Sequence, residues 1–431
     1  MKNTMAARGL MGDSLGFHIL FALLGVGIPL LILLAELLAL VKKDARWYED
    51  ARRWTEVLVV LFVTGAISGT IISMQFNTMW APLMKLLEPA TAPAFFLEGF
   101  AFLIESVFLT VYLVAWPKKP SWAHWVGGIP IMLASATSAF FITTVNAFMN
   151  APQGFTLKNG NVVNVNPIKT LFNPATATET SHSVLAYYLA TACLFMGYYA
   201  WRMWRGKAIG DHAKKRLVVL AAVSLVFAVL VSGSGDASAR YLVKNEPAKL
   251  AAAEGLSQTT SHAPLKIGGI VSGGRLHGAL TIPSGLSILA KGTPNAVVTG
   301  LDATPPYNQP SMAIHYFFDG MVGSGTFILL ATALFLFLRW RKSKFTYHKV
   351  ILWALALCAW LGMLAVEFGW LLTEIGRQPF VIKGVLRTAD AATPGSYALR
   401  LGEVFPSLYL VLFAVTFWAL KRLRKRWEAK V

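Results

Sequence analysis

The chain has 431 residues, of which 55% are hydrophobic and only 14% are charged. In soluble globular proteins about a quarter of all residues are charged. A mean hydropathy of +0.55, with 14 Trp and 27 Phe, is more apolar than a water-exposed surface allows. The composition therefore excludes disordered, fibrous, disulfide-framework and ordinary soluble proteins, and we expect a lipid bilayer as the solvent.

The cysteines and the net charge narrow the class further. Cys193 and Cys358 both lie inside apolar stretches, where a small core residue is more common than a disulfide or a metal ligand. A net charge of +18 could attract nucleic acid. Lys and Arg are, however, concentrated in short connections between apolar segments, as in membrane proteins, so we expect no nucleic-acid partner.

Nine segments are long and apolar enough to cross a hydrocarbon core of about 30 Å, which takes about 20 helical residues. The first has no small-residue cleavage site and is too long for a signal peptide, so we interpret it as a retained helix. The sequence thus predicts an all-α integral membrane protein with nine transmembrane helices. The predicted segments are residues 15–41, 55–74, 92–116, 124–149, 181–204, 217–236, 312–339, 348–373 and 400–420.

Basic residues predict the orientation of these helices. Lys and Arg are frequent in every odd-numbered connection and in the C-terminal tail, and are scarcer in the intervening connections 75–91, 150–180 and 374–399. By the positive-inside rule, the N-terminus is expected outside and the C-terminus in the cytoplasm. The basic stretches are 42–54, the connection with Lys118 and Lys119, 205–216, Arg339 to Lys344, and the tail from Lys421 to Arg426.

The predicted helices define three regions. Residues 1–236 contain the first six helices, and residues 312–431 contain the last three together with the basic cytoplasmic tail. Between them, residues 237–311 form a Gly-, Pro- and Ser-rich connection on the outer side. A connection of this length usually serves a function or covers a partner, although its sequence indicates no fold of its own.

Ionisable side chains inside the helices cost several kcal/mol unless they are paired or bind a ligand. Glu36 and Glu56 lie near cytoplasmic helix ends, close to Lys and Arg, and we interpret them as interfacial. Other candidates lie toward the outer ends of five helices, where they could form a ligand set. They are His18, Glu98, Glu105, His182, Met321 and Glu367.

The residue types in this set favour a haem site. Imidazole and thioether are axial ligands of electron-transfer haems, whereas calcium and magnesium require oxygen ligands and zinc favours more Cys or His. Glu98 and Glu105 are seven residues apart, so they share one helix face and could relay protons. The alternative is a transporter or channel whose acids bind an ion. Transporters often have inverted repeats and broken helices, and the sequence indicates neither.

Several motifs together resemble one family. The most specific is GWLLTEIGRQP at Gly369–Pro379, with Glu367 just before it. The others are Arg8 with His18, MQFNTMW at Met74–Trp80, EGFAFLIES at Glu98–Ser106, VNAFMNAP at Val145–Pro152, GDAS at Gly235–Ser238 and KLAAAE at Lys249–Glu254. Over nearly its whole length the chain resembles subunit I of the cytochrome bd quinol oxidases.

This resemblance implies three haems and their ligands. His182 and Met321 match the axial ligands of a low-spin haem b. His18 and Glu367 match the ligands of two high-spin haems, of which one is haem b and the other is haem d or a further haem b. The resemblance does not indicate which of these two residues holds which haem.

It also implies roles in proton transfer and quinol binding. Glu98 and Glu105 match acids that deliver protons near the high-spin haems, and Lys249 and Glu254 match quinol-oxidation residues. In this family the long outer connection that holds them is termed the Q-loop, a name used below for residues 237–311. Residues in motifs near the haems are Arg8, Asn146, Trp370 and Arg377, the last as a partner for a haem propionate.

The implied function is that of a terminal oxidase in the cytoplasmic membrane of a bacterium or archaeon. It would oxidise quinol at the outer face, reduce dioxygen to water with protons from the cytoplasm, and generate a proton motive force without pumping. The implied partners are subunit II, a small single-span subunit, quinol, dioxygen and membrane lipid.

Four departures from the family pattern concern the electron path and the donor. Glu98 lies seven rather than eight residues before Glu105. Asp319 replaces the usual Arg two positions before the axial Met, and Met363 replaces a Trp, for which Trp360 could substitute. The Q-loop is of the short type and ends in an unusual Gly-rich stretch. A different electron donor, such as a c-type cytochrome, is therefore the alternative to quinol.

Overall fold

The computed structural model describes residues 2–207, 210–395 and 397–428. Within these ranges nine helices are long and apolar enough to cross a membrane, which confirms the predicted fold class. They are α1 (Lys2–Lys42), α2 (Ala45–Met79), α3 (Ala81–Val114), α4 (Trp122–Asn150), α5 (Thr176–Trp204), α6 (Asp211–Asn245), α7 (Ile314–Trp340), α8 (Lys349–Gly376) and α9 (Val404–Glu428).

Several helices are longer than the apolar segments that predicted them. α1 begins at Lys2, and α6 continues to Asn245, past the predicted end at 236. Hydropathy marks only the part of a helix that meets hydrocarbon, whereas backbone hydrogen bonding continues the helix into polar surroundings. The GDAS motif at Gly235–Ser238 therefore lies inside α6, which continues into the first residues of the Q-loop.

The chain divides into two compact units. The first consists of Met1–Asn146, Gln153–Asn173 and Ala389–Val431, and the second of Ala147–Pro152 and Pro174–Thr388. The first unit contains α1 to α3, most of α4, and α9. The second contains α5 to α8 and the Q-loop.

In the first unit, α1 packs along α2 and α9 packs against both. Thr64 and Thr416 join α2 to α9 through a hydrogen bond of 2.7 Å between their hydroxyls, and Phe62 stacks on Phe102 of α3. Between α4 and α5 lie a hairpin of β1 (Thr156–Lys158) and β2 (Asn161–Val163) and a short helix, Pro167–Leu171. Another short helix, Tyr397–Arg400, precedes α9.

In the second unit, α5 packs closely against α6 and α8, and α7 packs against α8. Small residues permit the α5–α8 contact, as is usual between membrane helices. A Cβ added to Gly197 would lie 2.6 Å from the Cβ of Ala359, so a larger residue would force the helices apart. Cys193 and Cys358 are buried and free, as expected of core residues.

The Q-loop has a defined local structure, contrary to the expectation from its sequence. It begins with the end of α6 and a short helix, Pro247–Ala253, and later contains a helix at Gly285–Lys291 and 3-10 turns at Leu301–Ala303 and Pro306–Asn308. Its strands are β3 (Leu265–Ile267), β4 (Ile270–Ser272), β5 (Arg275–His277) and β6 (Leu280–Ile282).

Glycine explains how the Gly-rich stretch folds. β3 pairs with β6 and β4 pairs with β5, both antiparallel, so residues 265–282 form one long hairpin, here termed the hairpin arm. Gly273 and Gly274 form its tip with φ of 57° and 72°, the conformation that a tight two-residue turn requires. A short hairpin of β7 (Phe380–Ile382) and β8 (Leu386–Arg387) follows α8 and leads to a helical turn, Thr388–Ala391.

Candidate functional site

His18 on α1 contacts a Ser-Gly pair on α2. Its Nδ1 lies 2.9 Å from the Oγ of Ser68, and this hydroxyl donates its only hydrogen to the Gly65 carbonyl. With its hydrogen used in this way, Ser68 can accept from His18, an arrangement that has the ring hydrogen on Nδ1 and the lone pair on Nε2. A Cβ on Gly69 would lie 3.2 Å from the ring, so glycine lets the imidazole lie against the α2 backbone.

His182 on α5 has the same arrangement with α6. Its Nδ1 lies 3.0 Å from the Oγ of Ser234, whose hydrogen is donated to the Val231 carbonyl. The lone pair is again on Nε2. A Cβ on Gly235 would lie 3.4 Å from the ring. Metal-ligating histidines typically have their second nitrogen fixed in this way, so both rings have a geometry that fits the predicted haem ligands.

Met321 on α7 also faces a glycine of a neighbouring helix. A Cβ on Gly369, the first residue of the GWLLTEIGRQP motif, would lie 3.1 Å from the Met321 sulfur. All three predicted His and Met ligands thus lie against glycine on an adjacent helix. The sequence motifs included Gly235 and Gly369 but not Gly69, and they did not indicate that these glycines face the predicted ligands.

Glu367 and Arg377 each retain a buried polar atom with no hydrogen-bond partner in the described part of the chain, Oε1 and Nε respectively. Such atoms are rare because they cost free energy. The other Arg377 nitrogens bond to Asn150 at 3.3 Å and Glu374 at 2.5 Å. A carboxylate oxygen free to bind iron and a guanidinium with a spare donor fit the predicted haem ligand and propionate partner.

The predicted ligands do not form a site for a bare metal ion. Among the described residues, no group of three or more His, Cys, Asp or Glu side chains could hold one. A haem brings four nitrogen ligands of its own, so the protein must supply only one or two axial ligands. Isolated His, Met and Glu side chains with a free donor atom therefore fit haem.

Glu98 and Glu105 lie on α3 in the first unit. Glu98 accepts a hydrogen bond of 3.2 Å from the Ser138 hydroxyl of α4. Glu105 is buried, and its Oε1 has no partner among the described residues. The two acids share a helix face, as their spacing predicts, and the shifted position of Glu98 still gives it a polar partner.

Lys249 connects the short helix Pro247–Ala253 to the GRQP motif. Its Nζ lies 3.5 Å from Glu246, which also pairs with Lys383 at 3.3 Å. A Cβ on Gly376 would lie 2.9 Å from the Lys249 Cε, so the aliphatic stem packs directly on that glycine. The predicted quinol residue is thus buried and ion-paired rather than extended into solvent.

Glu254 ends the same short helix. It is 6% exposed, and its Oε2 has no partner among the described residues. Burial, followed by the negative charge of Asp319, raises the pKa of Glu254 to about 8. A carboxyl group with this pKa can bind and release a proton near neutral pH.

Asp319 anchors the hairpin arm to α7. It accepts a hydrogen bond of 2.5 Å from the Gly268 backbone N–H. The buried His315 ring lies between two acceptors, with Nδ1 2.7 Å from the Ala253 carbonyl and Nε2 3.0 Å from the Gly268 carbonyl. A ring nitrogen that carries a hydrogen donates to the carbonyl facing it, and Asp319 lies 3.4 Å from Nε2. The departure at 319 therefore has a structural reason, which is to hold this loop.

The other residues predicted to lie near the haems differ in how far they are exposed. Arg8 is exposed on α1, and Asn146 and Trp370 are partly buried on α4 and α8. Their roles remain predictions. Trp360, the suggested substitute for the missing Trp, is 73% exposed on α8.

The two acids interpreted as interfacial have different environments. Glu56 pairs with Arg426 and Trp427, as an interfacial carboxylate would. For Glu36 the interpretation is wrong, because the residue is fully buried and bonds to Tyr112 and His124. Hydropathy located its depth along α1 but could not show which helices face it.

Comparison with known proteins identifies the family. Residues 6–427 match the family described as cytochrome bd terminal oxidase subunit I. A Bacillus subtilis (strain 168) protein, provisionally named cytochrome bd menaquinol oxidase subunit I, is 34% identical over 97% of this chain and 96% of its own length. Cytochrome bd ubiquinol oxidase subunit 1 of the same organism is 27% identical, with 96% and 92% covered.

A solved structure agrees with these sequence matches. The structure of bd oxidase from Geobacillus thermodenitrificans superposes with a TM-score of 0.93 at 37% identity, covering 98% of both chains. The transporter alternative has no support from these matches. The chain is a multi-pass protein of the bacterial cytoplasmic membrane and belongs to the family of cytochrome bd terminal oxidase subunit I.

Proposed function

We propose that this chain is the haem-binding subunit of an oxidoreductase that oxidises quinol at the outer membrane face and reduces dioxygen to water. The observation that carries the proposal is the repeated histidine geometry. His18 and His182 each have Nδ1 held by a serine hydroxyl, so that Nε2 can bind iron. Both rings also lie against a glycine of the neighbouring helix, Gly69 and Gly235.

His182 and Met321 are the ligands of a low-spin haem b, and His18 and Glu367 each hold one of two high-spin haems, haem b and either haem d or a further haem b. Bound haem supplies the electron transfer and the reduction of dioxygen. Arg377, with its spare Nε donor, binds a propionate. The protein contributes the orientation of each ligand and the apolar surroundings that exclude water.

At the Q-loop, the Glu254 carboxylate accepts a hydroxyl proton of quinol and then releases it to the outer side. Its raised pKa suits a general base, because a base titrating near the working pH both accepts and releases protons. Lys249, fixed by Glu246 and packed on Gly376, positions the short helix that ends at Glu254. The His315–Asp319 pair closes the other side of this segment.

The direction of proton flow follows from the proposed orientation. The basic connections favour an N-terminus outside and a C-terminus in the cytoplasm. Protons for water formation then enter from the cytoplasm, and Glu105 and Glu98 are the final relay groups. Quinol protons leave on the opposite side, so the reaction separates charge without pumping.

Subunit II is the expected partner, with a small single-span subunit as a further one. α3 and α9 expose large apolar side chains to lipid or to such a partner. The most exposed on these helices include Phe96, Leu103, Val111, Val114, Leu410, Val411 and Phe417.

Oxygen uptake by the purified complex tests the proposal. Quinol should support uptake, and Glu254→Ala should abolish most of it while sparing an artificial donor that reduces the haems directly. Asp302→Asn, at an exposed acid of the Q-loop that bonds to Thr259, is the control. Equal loss with both donors would make the loop structural, and uptake with a reduced c-type cytochrome but not with quinol would replace the proposed donor.

A further inference from the structure

Glu36, Tyr112 and His124 form a buried hydrogen-bonded cluster that joins α1, α3 and α4 in the first unit. The Tyr112 hydroxyl donates to Glu36 Oε2 at 2.5 Å. His124 Nδ1 lies 2.7 Å from Glu36 Oε1, and His124 Nε2 lies 3.0 Å from the Tyr112 backbone carbonyl. The rings of Tyr112 and His124 also stack, with centroids 3.9 Å apart.

The hydrogen-bond geometry shows how many protons the cluster holds. The Tyr112 carbonyl can only accept, so His124 Nε2 must carry a hydrogen. Nδ1 and Glu36 Oε1 then share one more proton, which lies either on the imidazole or on the carboxyl group. Both arrangements are electrically neutral and satisfy every bond. Without that proton, a nitrogen lone pair would face a carboxylate oxygen, so the pair is a site for one exchangeable proton.

The cluster continues the acidic face of α3. Tyr112 lies seven residues beyond Glu105, which lies seven beyond Glu98, so the three side chains project from one face about 10 Å apart. A cavity of about 10 Å³ lies beside Tyr112, lined by Leu109 of α3 and by apolar residues of α1, α2 and α4. Such a volume is about that of one water molecule. Leu109, which lines the cavity, lies one helical turn beyond Glu105 on α3.

The other end of the cluster approaches the surface. His124 is 9% exposed, whereas Glu36 is fully buried. Trp116 packs edge-on against the His124 ring at 4.7 Å, next to the connection that contains Lys118 and Lys119. These lysines predict the cytoplasmic side. Protons from that side can therefore reach His124 first.

We propose that Glu36, Tyr112 and His124 form the cytoplasmic proton-loading site of the path to Glu105, an inference that rests on the proposed oxidase function. A proton from the cytoplasm binds to the His124–Glu36 pair. When it occupies Glu36 Oε2, it donates to Tyr112, whose own hydroxyl hydrogen turns toward the cavity. Tyr112 passes that hydrogen to a water molecule that enters the cavity and takes the one from Glu36. The water carries the proton on to Glu105, and the His124–Glu36 pair is empty for reloading.

The test uses the complete complex reconstituted in liposomes, reduced and then mixed rapidly with dioxygen. A pH-sensitive dye reports proton uptake, and absorbance reports the haems. Glu36→Gln keeps the size of the side chain but cannot carry the exchangeable proton. We expect proton uptake to be about tenfold slower than in the wild-type complex, or slower still. The solvent deuterium isotope effect on the uptake rate should be larger. Haem content, haem spectra, thermal stability and haem reduction by quinol without oxygen should be unchanged.

Two further variants make the outcome decisive. Glu56→Gln changes an acid at the same membrane end, bonded to Arg426 and Trp427 outside the cluster, and should behave as wild type. Tyr112→Phe keeps the stacked ring, removes only the hydroxyl, and decides the matter if Glu36→Gln does not assemble. Uptake at the wild-type rate in the cluster variants would overturn the inference. So would a parallel loss of stability, haem and all rates, which would show a structural role.

This outcome is separable from that of the proposed function. If the wild-type complex binds haem and takes up protons but the cluster variants match it, only the loading site is wrong. If the wild-type complex binds no haem, the oxidase proposal itself is wrong.

Discussion

The Oγ of Ser68 lies 2.9 Å from Nδ1 of His18, across the α1–α2 contact. Because the same hydroxyl donates to the Gly65 carbonyl, the serine is held in the orientation that fixes the histidine tautomer. The serine and the following glycine act together. Gly69 leaves room for the His18 ring beside α2, and Ser68 orients the ring through the hydrogen bond to Nδ1.

Replacing this serine should therefore weaken haem binding. In Ser68→Ala the His18 ring loses its acceptor, and we expect roughly 10- to 100-fold weaker haem retention, the usual range for such supporting groups. The amount of haem that stays bound after dilution measures this retention, together with the high-spin bands of the absorbance spectrum. Thr70→Val is the control, because the Thr70 hydroxyl bonds to the Ala66 carbonyl of its own helix. Equal haem retention in the two variants would show that Ser68 does not position the ligand.

The hairpin arm should depend on Asp319. In Asp319→Ala the Gly268 N–H loses its charged acceptor, which should open the arm roughly tenfold more often. Limited proteolysis near Gly273–Gly274 should be faster by a similar factor, and the quinol KM should rise. His277→Ala, at an exposed residue of the arm, serves for comparison. Unchanged proteolysis of Asp319→Ala would mean that other contacts hold the arm.

Quinol oxidation should depend on the protonation of Glu254. Its pKa is raised to about 8 by burial and Asp319, and a general base must be deprotonated to act. The quinol-dependent rate should therefore rise as the pH approaches 8, and Glu254→Gln should lose this rise together with most of the rate. A rise that persists in Glu254→Gln would assign it to another group.

The same pKa shift has a consequence for stability with a defined sign. A carboxyl group whose pKa is raised by folding stabilises the folded state below its usual value of 4.5, and this contribution is lost as pH rises toward 8. Thermal unfolding of the wild-type complex should therefore move to lower temperature across this range more than that of Glu254→Gln. Parallel curves for the two proteins would contradict the assignment.

Glu105→Gln should slow oxygen consumption by roughly a hundredfold or more, because the relay loses its proton-carrying group. Haem content should stay the same, since Glu105 has no predicted role as a ligand. Glu88→Gln, at an exposed acid of the same helix, should have normal activity. Near-normal turnover of Glu105→Gln, measured with quinol as donor, would exclude the relay.

The sequence predicted the nine helices because a membrane requires about 20 apolar residues in a row, and this signal is strong in every span. It predicted helix ends less well. α6 extends to Asn245, where polar residues continue the helix outside hydrocarbon. The hairpin arm was missed because its strands have three residues each, too few for an alternating pattern to be recognised.

For the site, the sequence identified candidate ligands but not the groups that support them. A lone His18 or Met321 can be selected by its depth in a span, whereas Ser68 and Gly69 become meaningful only once α1 lies against α2. Glu36 shows the same limit, since its partners Tyr112 and His124 are distant in sequence. Residue type and depth are local properties, but a hydrogen-bonded cluster depends on which helices are neighbours.

The most direct test of the central claim is pyridine haemochrome analysis of the purified complex, together with its reduced-minus-oxidised spectrum. The account predicts one low-spin and two high-spin haems in the wild-type complex, and loss of the low-spin bands in His182→Ala and Met321→Ala. A complex that folds and assembles without colour, or variants with an unchanged spectrum, would contradict it.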